Sequence, residues 1–206
     1  MPEPDLPRGA TLHRASVEEL FGIAGGLRTG HFDLKSGRHS ARYLEKFAVL
    51  QYPPLTVELC RRLADALVGY DPDLVVGPTT GGVLLAFETA RQLTERTGRP
   101  VRGIFAEPVE RGRRALRRGF AVAADERIVL VDDILTTGAS VVETIQAVRR
   151  AGGEPLAAAV LVDRSTQPIE LGFPLHALAR IEIDSWEPVD CALCEAGTPI
   201  GKPGSS

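Results

Sequence analysis

Two periodicities run along this chain and change places near its first quarter. Between residues 30 and 44 polar and apolar side chains alternate in two pieces about Ser36-Gly37, which predicts a β-hairpin. Ser16 is followed three residues later by Glu19, a capping box that opens a short helix over 17–24. Pro53-Pro54 starts a second helix whose Leu55, Leu59, Leu63 and Leu67 fall on one face and which ends near Gly69. Beyond it, short strand-like runs at 74–76, 101–105, 127–131 and 156–162, the last of them wholly apolar, alternate with helical stretches at 83–93 and 141–148, the latter stopped by Gly152-Gly153. Strands apolar on both faces and separated by helices require a mostly parallel sheet covered on both sides. The expected fold class is therefore α/β, a central mostly parallel sheet flanked by helices. A single domain over 14–206 is expected, with its core at about 53–186. The hairpin lies outside the alternation; residues 14–50 and part of the C-terminal tail are expected to form a small N-terminal hood over the sheet. Four of the first nine residues are Pro or Gly, so 1–13 reads as a flexible tail.

Composition narrows the class. With 206 residues, 44% of them apolar, the chain is long enough for a full core. Its 24 Lys and Arg against 27 Asp and Glu leave a net charge of −3, which offers no general electrostatic footprint for nucleic acid. No apolar run approaches the ~18 residues a bilayer span needs, so no membrane partner is expected. The start, Met1-Pro2-Glu3-Pro4-Asp5, lacks the basic and apolar regions of a signal peptide, and a cytoplasmic location is expected. Three cysteines cannot make a disulfide framework. Cys191 and Cys194 have the C-x-x-C spacing of zinc and redox sites, but neither Cys60 nor any histidine lies close in sequence to complete four ligands. No metal held directly by the protein is expected.

The chemistry concentrates in Ile128-Val129-Leu130-Val131-Asp132-Asp133-Ile134-Leu135-Thr136-Thr137-Gly138-Ala139-Ser140. An apolar strand ends in two carboxylates, and a loop of hydroxyls and small residues leads straight into a helix. Ligands of open α/β sheets bind at such strand ends. A helix N-terminus with hydroxyl donors is suited to an anion, and Gly138 lets the backbone come close to it. A P-loop is excluded, since no Lys-Ser/Thr follows a G-x-x-x-x-G here. Two carboxylates would repel a phosphate unless they faced another part of the ligand; the vicinal hydroxyls of a ribose fit, because carboxylates accept hydrogen bonds and hydroxyls donate them. The ligand implied is a ribose 5-phosphate. The plainer alternative is a helix start capped by Thr after a turn aspartate.

This segment resembles the 5-phosphoribosyl-1-pyrophosphate (PRPP) signature of type I phosphoribosyltransferases. The resemblance covers all but the first dozen residues and narrows to the orotate phosphoribosyltransferase family. Gly30-His31-Phe32, Leu34-Lys35-Ser36-Gly37 and His39-Ser40 resemble its hood hairpin, and Gly77-Pro78-Thr79-Thr80-Gly81-Gly82 its pyrophosphate loop. Phe105-Ala106-Glu107 and Arg117-Arg118-Gly119-Phe120 flank a segment like its mobile loop; Asp163-Arg164-Ser165 and the tail from Cys191 to Ser205 match as well. The resemblance implies that Asp132 and Asp133 hold the ribose, and that PRPP also meets Ile134, Leu135, Thr136, Thr137, Gly138, Ala139 and Ser140 around its 5-phosphate. It implies further that Thr79, Thr80, Gly81 and Gly82 approach the pyrophosphate, that Lys35 lies near PRPP and orotate, and that Thr136 and Arg164 meet orotate. Mg²⁺, carried mainly by PRPP, is the implied cofactor, and a homodimer with shared active sites the implied assembly. One departure stands out: the family's mobile loop supplies a lysine, and 107–118 contains none, only Arg111, Arg113, Arg114, Arg117 and Arg118. Arg113 and Arg114 are expected at the loop tip in a catalytic role, with Arg117 and Arg118 as hinge or sheet-edge residues next to a strand beginning at Gly119. Two other readings remain open here, a transferase for a purine base and a nucleic-acid-binding regulator.

Overall fold

The computed structural model describes residues 10–34, 36–110 and 112–203, which divide into two compact units. The larger, residues 53–180, is built on six strands: β3 (Leu74–Pro78), β4 (Arg102–Val109), β5 (Arg113–Leu116), β6 (Ile128–Leu135), β7 (Pro155–Asp163) and β8 (Leu175–Arg180). Their order in the sheet is β5-β4-β3-β6-β7-β8. All neighbours are parallel except β4 and β5, which form an antiparallel hairpin at one edge. Helices α4 (Pro53–Leu67) and α5 (Gly81–Thr97) pack against each other and the sheet. Helix α6 (Ala139–Arg150) packs through Val141, Ile145 and Val148 on Leu74, Val76, Ile128, Leu130, Ala158 and Val160. Those strand residues are every second one, so Val75, Val129, Val131, Ala159 and Leu161 face the other way, and they too are buried. Double burial is why these strands read as unbroken apolar runs.

The smaller unit comprises residues up to 52 and from 181 onward. It holds α1 (Ala10–Arg14), α2 (Val17–Ile23), the antiparallel pair β1 (Leu27–Asp33) and β2 (His39–Leu44), α3 (Lys46–Leu50) and, near the C-terminus, α7 (Ala192–Glu195). The capping box forms as expected: Glu19 N–H donates to Ser16 Oγ at 3.1 Å, and Ser16 N–H to Glu19 Oε2 at 2.6 Å. Leu20 and Phe21 of α2 and Val49 of α3 make this unit's apolar core.

Several expectations are corrected. Residues 10–13 belong to a helical turn with Leu12 buried, so the tail is not loose throughout. Strand β6 does not stop before the carboxylates but runs through them to Leu135. No strand begins at Gly119: Arg118 and Gly119 form a turn with φ of 60° and 76°. Strand β8 and helices α1 and α3 were not expected, being too short or too mixed to show a period.

Candidate active site

The chain passes from β3 to β4 on one side and later to β6 on the other, so the direction of winding reverses between β3 and β6. In an open parallel sheet that reversal leaves a crevice at the carboxyl ends of the strands. Two helices begin there. After β3, Thr80 is the N-cap residue of α5, and the peptide joining it to Thr79 is cis. Thr79 N–H donates to Ala106 O of β4 at 3.0 Å, which anchors the turn. Gly77 and Gly82 close it: a Cβ on Gly77 would lie 2.2 Å from Gly82 O, and one on Gly82 would lie 2.7 Å from Pro78 Cδ. Only glycine allows the backbone to double back this tightly.

After β6, residues 136–138 turn into α6 with Gly138 as N-cap at φ 77°. A Cβ there would also press on Ile169 at 3.0 Å. Thr136 and Thr137 are exposed, and the first amides of α6 have no carbonyl a turn earlier to receive them. Asp132 and Asp133 are both buried. Asp132 Oδ1 accepts from Asp133 N–H at 2.8 Å and its Oδ2 from Ser140 Oγ at 2.6 Å; Asp133 Oδ1 accepts from Ile134 N–H at 2.7 Å. Strand alternation puts Asp132 on the α6 face with Leu130 and Asp133 on the opposite one. The adjacent carboxylates therefore serve different surroundings. Across from this loop, Arg164 follows β7 and its N–H donates to Leu135 O at 2.8 Å, which brings Arg164 beside Thr136.

The arginine segment departs most from expectation. Arg113 and Arg114 are not the tip of an open loop; they are the first residues of β5, paired with Val109 and Pro108 of β4. Arg113 is exposed. Arg114 is turned into its own chain, with Nη1 3.3 Å from Thr79 O, Thr79 Oγ1 and Ala106 O. Its Nε lies 3.3 Å from Glu143 Oε2 of α6, an ion pair without hydrogen-bond alignment. Arg150 of α6 also donates to Arg114 O at 2.6 Å. Arg114 is thus a strut between the β4–β5 hairpin, the Thr79 turn and α6. Arg118 donates to Glu107 at 2.8 and 3.1 Å and holds that carboxyl below the usual range. Lys35 and Arg111 lie outside the described residues.

Sequence reasoning missed two things. Glu143, in the polar face of α6, gave no signal as the partner of Arg114. The smaller unit brings His31 and His39 onto Cys191 and Cys194, so histidines that do not lie close to the C-x-x-C pair in sequence meet it in space.

The comparisons with known proteins agree on one family. A phosphoribosyl transferase domain profile matches residues 51–193. An orotate phosphoribosyltransferase of Pelotomaculum thermopropionicum is 44% identical over 93% of this chain and 97% of its own length. The chain belongs to the orotate phosphoribosyltransferase family. As a member it is an enzyme, a pentosyltransferase of pyrimidine biosynthesis. The orotate phosphoribosyltransferase of Caldicellulosiruptor bescii is 45% identical over 94% and 98% of the two lengths. The fold is shared with the orotate phosphoribosyltransferase of Mycobacterium tuberculosis, at TM-score 0.67 and 24% identity over 80% of this chain and 95% of that one. A structure of that protein in complex with PRPP aligns at TM-score 0.61 and 23% identity over 82% and 92%. These orotate phosphoribosyltransferases favour the family reading over the purine-base and nucleic-acid alternatives. Among the described residues no helix is long and apolar enough to cross a membrane.

Proposed function

We propose that the crevice between β3 and β6 binds PRPP and transfers its 5-phosphoribosyl group to orotate. One observation supports this most: two helix N-termini, α5 and α6, stand at neighbouring strand ends, and paired carboxylates precede one of them. Such a site suits a ligand with an anion at each end and a diol between. The 5-phosphate takes the amides and hydroxyls of residues 136–140, the ribose hydroxyls take Asp132 and Asp133, and the pyrophosphate takes the turn at 79–82. Orotate lies by Thr136 and Arg164, whose planar guanidinium matches a carboxylate. Lys35 is assigned to PRPP and orotate from the resemblance alone.

In the reaction orotate N1 attacks C1 of PRPP as the bond from C1 to the pyrophosphate oxygen breaks, giving orotidine 5′-monophosphate and pyrophosphate. The ring N–H of orotate is acidic enough for its anion to form without a dedicated base. C1 becomes cationic while the leaving group gains charge, so buried carboxylates near the sugar and cations near the pyrophosphate both favour the transition state. Both oxygens of Asp132 and one of Asp133 already accept a hydrogen bond within the loop, and their remaining lone pairs serve the ribose hydroxyls, which fits a Mg²⁺ carried by substrate oxygens and water rather than by a protein cage. When bound, that ion supplies positive charge to the departing pyrophosphate. Arg114 is assigned to positioning Thr79, not to a loop tip. Arg113 remains the candidate to reach a site shared within a homodimer, in a cytoplasmic protein.

Incubation with PRPP, Mg²⁺ and a panel of orotate, uracil, adenine and hypoxanthine tests the reading. Orotate alone should be consumed; preferential use of a purine would overturn it. Arg164→Ala should raise the orotate KM roughly ten- to a hundredfold and the PRPP KM far less.

A further inference from the structure

In the smaller unit four potential metal ligands from opposite ends of the chain converge. His31 Nε2 lies 3.1 Å from His39 Nδ1, 3.5 Å from Cys191 Sγ and 3.7 Å from Cys194 Sγ, and His39 Nδ1 is 3.1 Å from Cys194 Sγ. All four ligand atoms lie within 4.8 Å of one another, and three of the residues are buried. We propose that His31, His39, Cys191 and Cys194 form a structural zinc site that clamps the C-terminal segment onto the β1–β2 hairpin.

Hydrogen bonding alone explains the cluster poorly. His31 Nδ1 is 2.8 Å from the carbonyl of Thr198, which can only accept, so Nδ1 carries a proton. The neutral ring then has one lone pair, on Nε2, and three atoms crowd that single position. Full protonation of the ring would replace the lone pair with one proton, still shared among three neighbours. A cation at the centre instead takes one lone pair from each of four ligands. Zinc with Zn–S of about 2.3 Å and Zn–N of about 2.0–2.1 Å in a tetrahedron separates its ligand atoms by roughly 3.3–3.8 Å. The four edges at 3.1–3.7 Å need shifts of only a few tenths of an ångström, and the widest separation, up to 4.8 Å, has to close by about 1 Å. The Thr198 carbonyl is then the outer partner that fixes the tautomer and aim of a metal-bound histidine. Two thiolates and two imidazoles select zinc over the hard cations.

The fold explains how these residues meet. His39 pairs across the hairpin with Asp33, two residues beyond His31, so both rings share one face. The C-terminal segment enters beside β2, where His39 and Trp186 exchange backbone hydrogen bonds at 2.8 Å, and leaves beside β1, where Gly201 bonds His31 O and Asp33 N–H at 2.8 and 2.9 Å. Between them, Cys191 O accepts from Cys194 N–H at 3.0 Å and Glu195 N–H at 3.2 Å, a turn that points both sulfurs one way. This segment has no apolar core of its own. From 186 to 203 only Cys191 is buried, while Val189 is 89% exposed. A small element of this kind is commonly held by a metal or another cross-link.

The full chain, purified from zinc-containing medium and desalted, should carry about one zinc per chain by elemental analysis. Exchange with Co²⁺ should give the visible d–d bands and thiolate charge-transfer band of a tetrahedral two-sulfur site. Cys191→Ser and His39→Ala should lose the zinc, and Cys60→Ser should keep it. Removing the zinc with a strong chelator should lower the Tm, and returning it should restore the Tm. If the variants fail to fold, wild-type stoichiometry and the cobalt spectrum decide. Protein without zinc whose Cys191 and Cys194 react at once with a thiol reagent, or are joined as a disulfide, would overturn the proposal.

Discussion

Ser140, in the first turn of α6, donates its hydroxyl proton to Asp132 Oδ2 on β6 over 2.6 Å. The bond closes the phosphate-type loop from behind, and Asp132 is engaged a second time by the N–H of Asp133. Asparagine at 132 can keep both contacts, because a hydroxyl donates or accepts. Asp132→Asn is therefore expected to keep the Tm within a few degrees while lowering kcat/KM for PRPP by roughly ten- to a hundredfold, the loss of one charged hydrogen bond. Asp132→Ala should also unfold earlier, since it leaves buried donors unmatched at about 1–3 kcal/mol. Calorimetry beside PRPP titration separates the two. An Asn variant that melts early with unchanged PRPP use would make Asp132 a structural residue only.

Gly77 and Gly82 offer a purely steric test. Alanine at 77 would place a methyl 2.2 Å from Gly82 O, against rigid backbone on both sides. Gly77→Ala is expected to cost upwards of about 3 kcal/mol or to displace the α5 turn and abolish activity. Gly69→Ala, with nothing within 4 Å of the added methyl, is the control and should leave chemical denaturation unchanged.

The two arginines at the start of β5 should behave differently. Arg114 is largely buried against Thr79, Ala106 and Glu143, and Arg113 is exposed. Arg114→Ala is expected to destabilise the protein by about 1.5–3 kcal/mol and to raise the PRPP KM. Arg113→Ala should leave the Tm alone and change at most kcat. In a mixture of Arg113→Ala and Asp133→Asn proteins, partial recovery of activity would support a shared site. Full wild-type kcat in Arg113→Ala alone would remove this arginine from the chemistry.

Burial pushes the Cys60 thiol up to about 12. In the unfolded chain it ionises near ~8.5. Between these values the unfolded state loses a proton that the folded state keeps, so stability falls as pH rises, by up to about 1.4 kcal/mol per pH unit. Below pH 8 there is no effect. Urea melts at pH 8.5, 9.5 and 10.5 should show this slope in the wild type and a shallower one in Cys60→Ala. Parallel slopes would mean that Cys60 is more open to solvent than its place beneath α5 indicates.

Local rules written in the sequence determined most of the longer elements and where along the chain the candidate site lies. The capping box at Ser16 and Glu19, the leucine face of α4 and the doubly apolar strands are short-range patterns. They implied an α/β sheet and put residues 132–140 at a strand-to-helix junction, where the free amides of a helix start suit the anion proposed above. Tertiary structure decided what depends on contacts between distant segments. Arg114 looks like its neighbours in a run of arginines, and only the pairing of β5 with β4 turns it onto Thr79 and Glu143. The Cys191-x-x-Cys194 pair looked unaccompanied because its nearest histidine partner, His39, is 155 residues from Cys194 along the chain, though 3.1 Å away in space. Period and spacing report how a chain folds on itself over a few residues; which side chains meet across such a separation is set by strand pairing and by the path of the tail.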